Sequence, residues 1–243
     1  MSHMPPSAGP FAIELTRGIV SVRDYGAVGD GVVDDTVAWT NALATGRTVI
    51  GRPGDTYVLD GGLVVSTAGQ VVNMTGCVVK LKNSASSKTI LRLNGTGAKA
   101  VGGEWNMNVA NNSSGDSFGH CAVLLSGDFT VAEDMYVRDS YGIGVKGLGN
   151  GSYREVRRCR FENCAGYGVF FDGPDVADAV ATRIVGCTIS TASTTGRGIY
   201  IQSVSPFTYQ SRRWIVQDNT LIGPSGVSTA VGITGRGADG IVE

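Results

Sequence analysis

The sequence predicts an all-β protein, a parallel β-helix of stacked coils opened by one short helix. Three observations predict it. Glycine accounts for 36 of 243 residues, while charged residues reach only 17 % and hydrophobic ones 42 %. With many Val, Ile and Thr, that composition describes short strands joined by frequent turns. A short pattern also recurs, with apolar residues at alternate positions closed by Gly or a small polar residue. Its copies are spaced unevenly, about one in 28 residues, which suits coils whose loops vary while their strands keep their order.

The same composition excludes several classes. A net charge of −1 gives no basic patch for a nucleic acid. No apolar run reaches the roughly 18 residues of a membrane span, so membrane insertion is not expected. Glycine has no three-residue period, which excludes collagen, and the hydrophobic content argues against disorder.

In chain order, residues 1–19 read as a tag remnant (Met1-Ser2-His3-Met4) and a lead-in, residues 20–60 as an N-terminal capping segment, and residues 61–243 as coils. Within the capping segment a short helix is expected, with Asp34 as N-cap and Asp35 in the first turn. Val37, Trp39, Ala42 and Leu43 form its apolar side and Gly46 is its stop. Laid across the open end of a solenoid, such a helix covers exposed core and unpaired backbone.

The first strands of the coils are expected to start at Leu63, Leu91, Val123, Ile143, Val169, Ile199 and Val231. A second strand follows each, as at Val131 to Asp134, Val156 to Cys159, Ile184 to Cys187 and Ile215 to Asp218. One coil cannot bury its own apolar face, whereas coils stacked at roughly 4.8 Å bury a continuous column. The closing residues Ile241-Val242-Glu243 restart the second-strand pattern, so the chain reads as cut in mid-coil. The five cysteines, Cys77, Cys121, Cys159, Cys164 and Cys187, lack paired spacing and read as small core residues rather than a disulfide framework. In the same way Asp134, Cys159, Cys187 and Asp218 are expected to form one stack at a turn.

The stretch Val22-Arg23-Asp24-Tyr25-Gly26-Ala27-Val28-Gly29-Asp30-Gly31, continued by Asp34-Asp35-Thr36-Val37-Ala38, resembles the N-terminal signature of the pectate-lyase-like superfamily. The likeness is greatest to its phage tailspike and pectate-lyase-3-like members, and Thr48-Val49-Ile50 with Pro53-Gly54-Asp55-Thr56-Tyr57 matches their next element. The resemblance implies a right-handed single-stranded parallel β-helix over residues 20–243. It carries over no catalytic residue, because the active-site motifs of the superfamily's polygalacturonases and calcium-dependent lyases are not evident. The signature's acidic residues Asp30, Asp34 and Asp35 read as turn and cap residues rather than a metal site, and neither metal nor cofactor is expected.

Strand alternation predicts two outward columns on the first-strand face. One holds Val64, Arg92, Leu124, Gly144, Phe170, Tyr200 and Gly232; the other holds Ser66, Asn94, Ser126, Lys146, Asp172, Gln202 and Thr234. Phe170 and Tyr200 would then face solvent on adjacent coils, beside Lys146, Asp172 and Gln202. Sugar rings pack their C–H faces on aromatic rings, and their hydroxyls need polar partners. Phe170, Tyr200, Gln202 and Arg197 are therefore the candidate substrate-binding residues, and Asp172 and Lys146 the candidate catalytic ones.

A glycosidase needs a second carboxyl group, for which Asp175, Asp178, Asp139 and Glu104 are candidates. A lyase needs a base, for which Lys146, Arg197 and His120 are candidates. The first reading is a phage tailspike fragment that binds and cleaves a bacterial surface polysaccharide (capsule, O-antigen or exopolysaccharide). The resemblance implies a homotrimer in the virion tail. The alternatives are a secreted bacterial polysaccharide lyase or glycoside hydrolase, and a non-catalytic β-helix adhesin or spacer.

Overall fold

The computed structural model describes residues 18–113, 119–148, 153–172, 180–190, 197–202, 212–223, 231–234 and 240–242, with backbone alone at 180–181, 197, 202, 212–213, 231–234 and 240–242. The chain is a right-handed parallel β-helix of three parallel sheets; from the second coil on, each complete coil contributes one strand to each sheet, and in the first coil the helix follows the sheet B strand in place of a sheet C strand. Sheet A stacks Ile19–Ser21, Thr48–Ile50, Val71–Asn73, Lys99–Val101, Val131–Glu133, Glu155–Arg157, Val180–Val185, Arg212–Gln217 and Gly240–Val242. Sheet B stacks Asp30–Asp34, Thr56–Leu59, Val78–Leu81, Glu104–Asn106, Tyr136–Ser140, Arg160–Cys164, Thr188–Ser190 and Thr220–Ile222. Sheet C stacks Leu63–Val65, Thr89–Leu93, Cys121–Leu125, Ile143–Gly147, Tyr167–Asp172, Arg197–Gln202 and Val231–Thr234. The connections leaving sheet C hold five residues after Val65, Leu93, Leu125 and Thr234, seven after Gly147 and Asp172, and nine after Gln202.

Like residues stack inside. Sheet A contributes Val20, Val49, Val72, Ala100, Ala132, Val156, Ile184 and Val216. Sheet B contributes Tyr57, Val79, Trp105, Val137, Phe161, Ile189 and Leu221. Sheet C contributes Leu63, Leu91, Val123, Val145, Val169 and Ile199. Almost all are buried in one continuous core, the column that single coils cannot close alone.

One departure from simple alternation decides what the outside carries. Where the chain enters sheet C, two consecutive residues point inward: Ile90-Leu91, Ala122-Val123, Gly144-Val145, Gly168-Val169 and Gly198-Ile199. A β-carbon on Gly144 would lie 2.4 Å from the Phe161 ring, one on Gly168 2.6 Å from Ile189, and one on Gly198 2.7 Å from Leu221. Small residues at this corner therefore leave room for large ones on sheet B. The doublet also corrects one strand start. Val145, not Ile143, aligns with Val123 and Val169, so the expected register is early by two residues in that coil.

The helix spans Thr36–Ala44 at the N-terminal end of the solenoid and buries Ala38, Trp39, Ala42 and Leu43, with Trp39 edge-on to Tyr57 at 5.7 Å. Val37, expected on its apolar side, is exposed, because Ala38 takes the inward position. The N-cap is Asp35 rather than Asp34. Asp34 instead accepts hydrogen bonds from the Thr36 N–H (3.0 Å) and Thr36 hydroxyl (2.5 Å), while Asp35 accepts from the N–H groups of Val28 (2.6 Å) and Gly29 (3.2 Å). Asp30 accepts from the N–H groups of Val32 and Val33. All three signature aspartates thus bind backbone.

Asp55 ties this end together. Arg23 donates to it twice at 2.7 Å, and the buried Tyr57 hydroxyl donates at 2.8 Å. The Arg23 guanidinium holds the Asp55 carboxyl below its ordinary range, and burial pushes the Tyr57 phenol up to about 12. Asp55→Ala is expected to destabilise by about 2 kcal/mol, chiefly by leaving the Tyr57 hydroxyl without its acceptor. A depressed folded pKa contributes stability above the ordinary carboxylate range and loses it as pH falls through the lowered value. The variant's stability, measured by denaturant titration from pH 7 downward, should therefore fall less steeply in acid than the wild type's.

All five cysteines are free and buried. The expected single stack of Asp134, Cys159, Cys187 and Asp218 is two columns. Asp134, Arg158, Gly186 and Asp218 occupy the left-handed turn between sheets A and B, with φ of 55°, 50°, 64° and 56°. Cys159 and Cys187 come one residue later and fill the interior.

Candidate functional site

The corner doublet turns an additional residue outward on sheet C. Thr89, Cys121, Ile143, Tyr167 and Arg197 align in one outer column, and Val64, Arg92, Leu124, Lys146, Phe170, Tyr200 and Gly232 in a second. Asp172, Gln202 and Thr234 belong to a third. Lys146 therefore pairs with Phe170 rather than standing in register with Asp172, and Gly144, expected in the second column, points inward.

The first two columns close into a small apolar cluster outside the solenoid. Cys121, Ile143 and Phe170 are buried in it, with Leu124, Tyr167 and Tyr200 packed against them. Phe170, expected to face solvent, is only 1 % exposed. Its burial follows from its neighbours. The Tyr167 ring centroid lies 5.2 Å from it and that of Tyr200 5.7 Å, the latter pair inclined by 20°. Tyr167 and Tyr200 stack on each other at 5.2 Å. The two tyrosines are partly exposed, so the outer surface of the cluster is theirs and Phe170 is its floor. Burial lifts the Cys121 thiol up to about 11, consistent with an apolar surround.

Charge borders the cluster. The Lys146 ammonium sits 5.6 Å from the centre of the Phe170 ring. Burial raises the partly buried Asp172 carboxyl above its ordinary pKa, and Lys146 opposes that shift. The site thus sets a partly buried carboxyl group, its pKa raised by burial, beside an aromatic surface and a cation. A surface of this kind offers an apolar shelf for a saturated ring and a proton at its edge.

The other candidates separate. Glu104 and Asp139 lie with sheet B, both paired with Arg138, and Asp139 also accepts from Asn163. His120 is buried, its ring edge-on to Tyr141 at 5.2 Å. None of these three joins Asp172. Asp175 and Asp178 lie outside the described residues, as do the side chains of Arg197 and Gln202, whose backbones pair with Tyr167 and Asp172. Among the described residues no group of three or more His, Cys, Asp or Glu side chains is placed to hold a metal ion.

Sequence reasoning missed Tyr167 and Ile143. The signal was present in the aligned triplets Ile143-Gly144-Val145, Tyr167-Gly168-Val169 and Arg197-Gly198-Ile199, where a central glycine marks the inward corner and its predecessor must point out.

Comparison with known proteins reaches the fold. No protein-family model matches the chain and no curated protein matches its sequence. Among solved structures, a predicted glycosyl hydrolase from Parabacteroides merdae superposes with a TM-score of 0.63 at 14 % identity, over 88 % of this chain and 99 % of that one. The pre-mature form of gene product 12 of bacteriophage phi29 superposes with a TM-score of 0.65 at 15 % identity, over 91 % of this chain and 32 % of its own. The chain therefore spans about a third of the phage protein it is similar to, and what it shares with both is the parallel β-helix.

Proposed function

We propose that this chain binds a bacterial surface polysaccharide on the outer face of sheet C and cleaves it there by hydrolysis, as part of a bacteriophage tailspike. The observation that carries the proposal is the Tyr167–Phe170–Tyr200 cluster, bordered by Lys146 and by a carboxyl of raised pKa at Asp172. The tyrosine surface takes the apolar face of a sugar ring. Asp172, its pKa raised by burial, donates its proton to the leaving glycosidic oxygen. A second carboxyl group for water activation or nucleophilic attack would come from Asp175 or Asp178, which follow Asp172 closely in the sequence. The phage assignment is supported by the signature of residues 22–38 and by the likeness to gene product 12, the hydrolytic one by the likeness to the Parabacteroides protein.

The test is incubation with purified bacterial capsular, O-antigen and exopolysaccharides, following reducing ends and absorbance of unsaturated uronates together. New reducing ends without new absorbance are expected. New absorbance would overturn the role of Asp172 and move the chemistry to Lys146 or Arg197 as base. Light scattering on the same sample should give three chains per particle; a monomer would favour the secreted bacterial enzyme over the tailspike.

A further inference from the structure

At the turn leaving sheet C, Phe129 and Tyr153 stand on adjacent coils with their rings stacked at 4.8 Å and nearly parallel, 7° apart. Both are well exposed, 51 % and 45 %, and neither belongs to the cluster around Phe170. Register places them in one column, since Val131 pairs with both Lys99 and Glu155, and Val71 with Lys99. That column reads Gly69, Gly97, Phe129, Tyr153, and every member has a left-handed backbone, with φ of 68°, 72°, 56° and 55°.

Glycine adopts this conformation freely, and an aromatic residue does not. Two coils therefore use the residue the backbone prefers, and the next two hold large rings on the surface against that preference. Strain kept at an exposed position points to a use for the side chains. The turns are braced from beneath: Asp128, directly before Phe129, interacts electrostatically with the buried Arg154, directly after Tyr153.

The glycines shape the space beside the pair. Rings stacked across coils lie with their faces along the solenoid axis, so one face of Phe129 meets Tyr153 and the other looks over Gly97. A β-carbon on Gly97 would touch nothing nearer than the Gly69 nitrogen at 3.8 Å, and one on Gly69 would touch nothing within 4 Å. A step of one coil, roughly 4.8 Å, is therefore open beneath an aromatic face. That height matches one saturated ring packed face-on at van der Waals distance. The net charge of −1 argues against a nucleobase of a polyanionic strand as the occupant.

We propose that Phe129 and Tyr153 form a second carbohydrate subsite, which takes one pyranose ring of the polysaccharide face-on over the Gly97 step. The proposal rests on the reading that the chain binds a polysaccharide. It adds an anchoring point on the turns that follow sheet C, apart from the reacting group at Asp172.

The neighbouring coils supply the variants that test it. Phe129→Gly and Tyr153→Gly remove the rings and give the backbone the residue that Gly69 and Gly97 already use, so thermal stability should hold or rise. Affinity for whichever capsular, O-antigen or exopolysaccharide the wild type retards in affinity electrophoresis should fall about ten-fold. The KM for polymer should rise in step while kcat stays unchanged, and Phe129→Trp should retain wild-type affinity. If the wild type binds and the glycine variants bind equally well, the subsite is overturned and the reading of the sheet C face stands. If the variants change the number of chains per particle rather than affinity, the pair is a chain–chain contact and the proposal falls. If the wild type retards no polysaccharide, both readings fall.

Discussion

Asp172→Asn is expected to lose polysaccharide cleavage by about 100-fold or more while retaining binding, because the amide keeps the shape of the side chain and cannot donate an acidic proton. The expectation rests on where Asp172 sits. It is partly buried at the end of the sheet C strand, its charged form disfavoured by burial and favoured by Lys146. The balance raises the carboxyl's pKa above its ordinary value. Cleavage in the wild type should therefore decline as pH rises through the raised pKa.

Lys146→Met removes the opposing charge and should move that decline to higher pH. The stability linkage has the corresponding sign. A group whose folded pKa is raised contributes stability that is complete below its unfolded pKa and is lost as pH rises through the folded value. Asp172→Asn should abolish that loss, so its unfolding midpoint should be flatter than the wild type's across this window. A cleavage rate for Asp172→Asn within about two-fold of wild type would remove Asp172 from the chemistry.

Gly147→Ala is expected to be strongly destabilising. Gly147 pairs with Phe171 on the next coil, and a β-carbon there would lie 2.1 and 2.3 Å from two carbons of the Phe171 ring. The ring is buried at 2 % exposure within the main core, with Val145 and Val169 packed in the same cluster. Overpacking of this kind costs about 3 kcal/mol where the ring cannot leave its site. The backbone at Gly147 is not left-handed, so the effect is steric. Phe171→Leu alone should destabilise through a cavity, by about 1–2 kcal/mol. The double variant should be more stable than the sum of the two single effects implies, because the smaller side chain makes room for the added methyl. Additive losses in a denaturant double-mutant cycle would show that the two positions do not share that space.

The coil pattern was legible because each strand repeats the same requirement, an apolar residue inward at every second position. Columns such as Val49–Val72–Ala100 follow directly from it. The cap was legible from signature residues that bind backbone at fixed offsets. The offset at Ile143 arose where alternation itself fails: Gly144 and Val145 both point inward, and the matched pattern began at Ile143, the outward residue just before that doublet. That slip misplaced Lys146 beside Asp172, while Tyr167 was hidden because it lies just before the pattern that starts at Val169. Phe170 was placed outside correctly and yet is buried, because alternation reports which face a residue occupies and not what its neighbours lay over it. Val37 shows the same limit on the helix: nine residues admit more than one apolar stripe, and packing against the solenoid end selected Ala38.

The unequal turns leaving sheet C have a consequence for how such a protein changes over time. From the second coil on, the strands keep register in all three sheets while these connections vary between five, seven and nine residues. Closing a longer flexible loop costs only about 0.6 kcal/mol for each doubling of its length. The scaffold therefore tolerates insertion and recombination at its connections far better than anywhere along its strands. New recognition specificities can be acquired there by exchanging whole connections between relatives, with the stacked core as the invariant frame that accepts them.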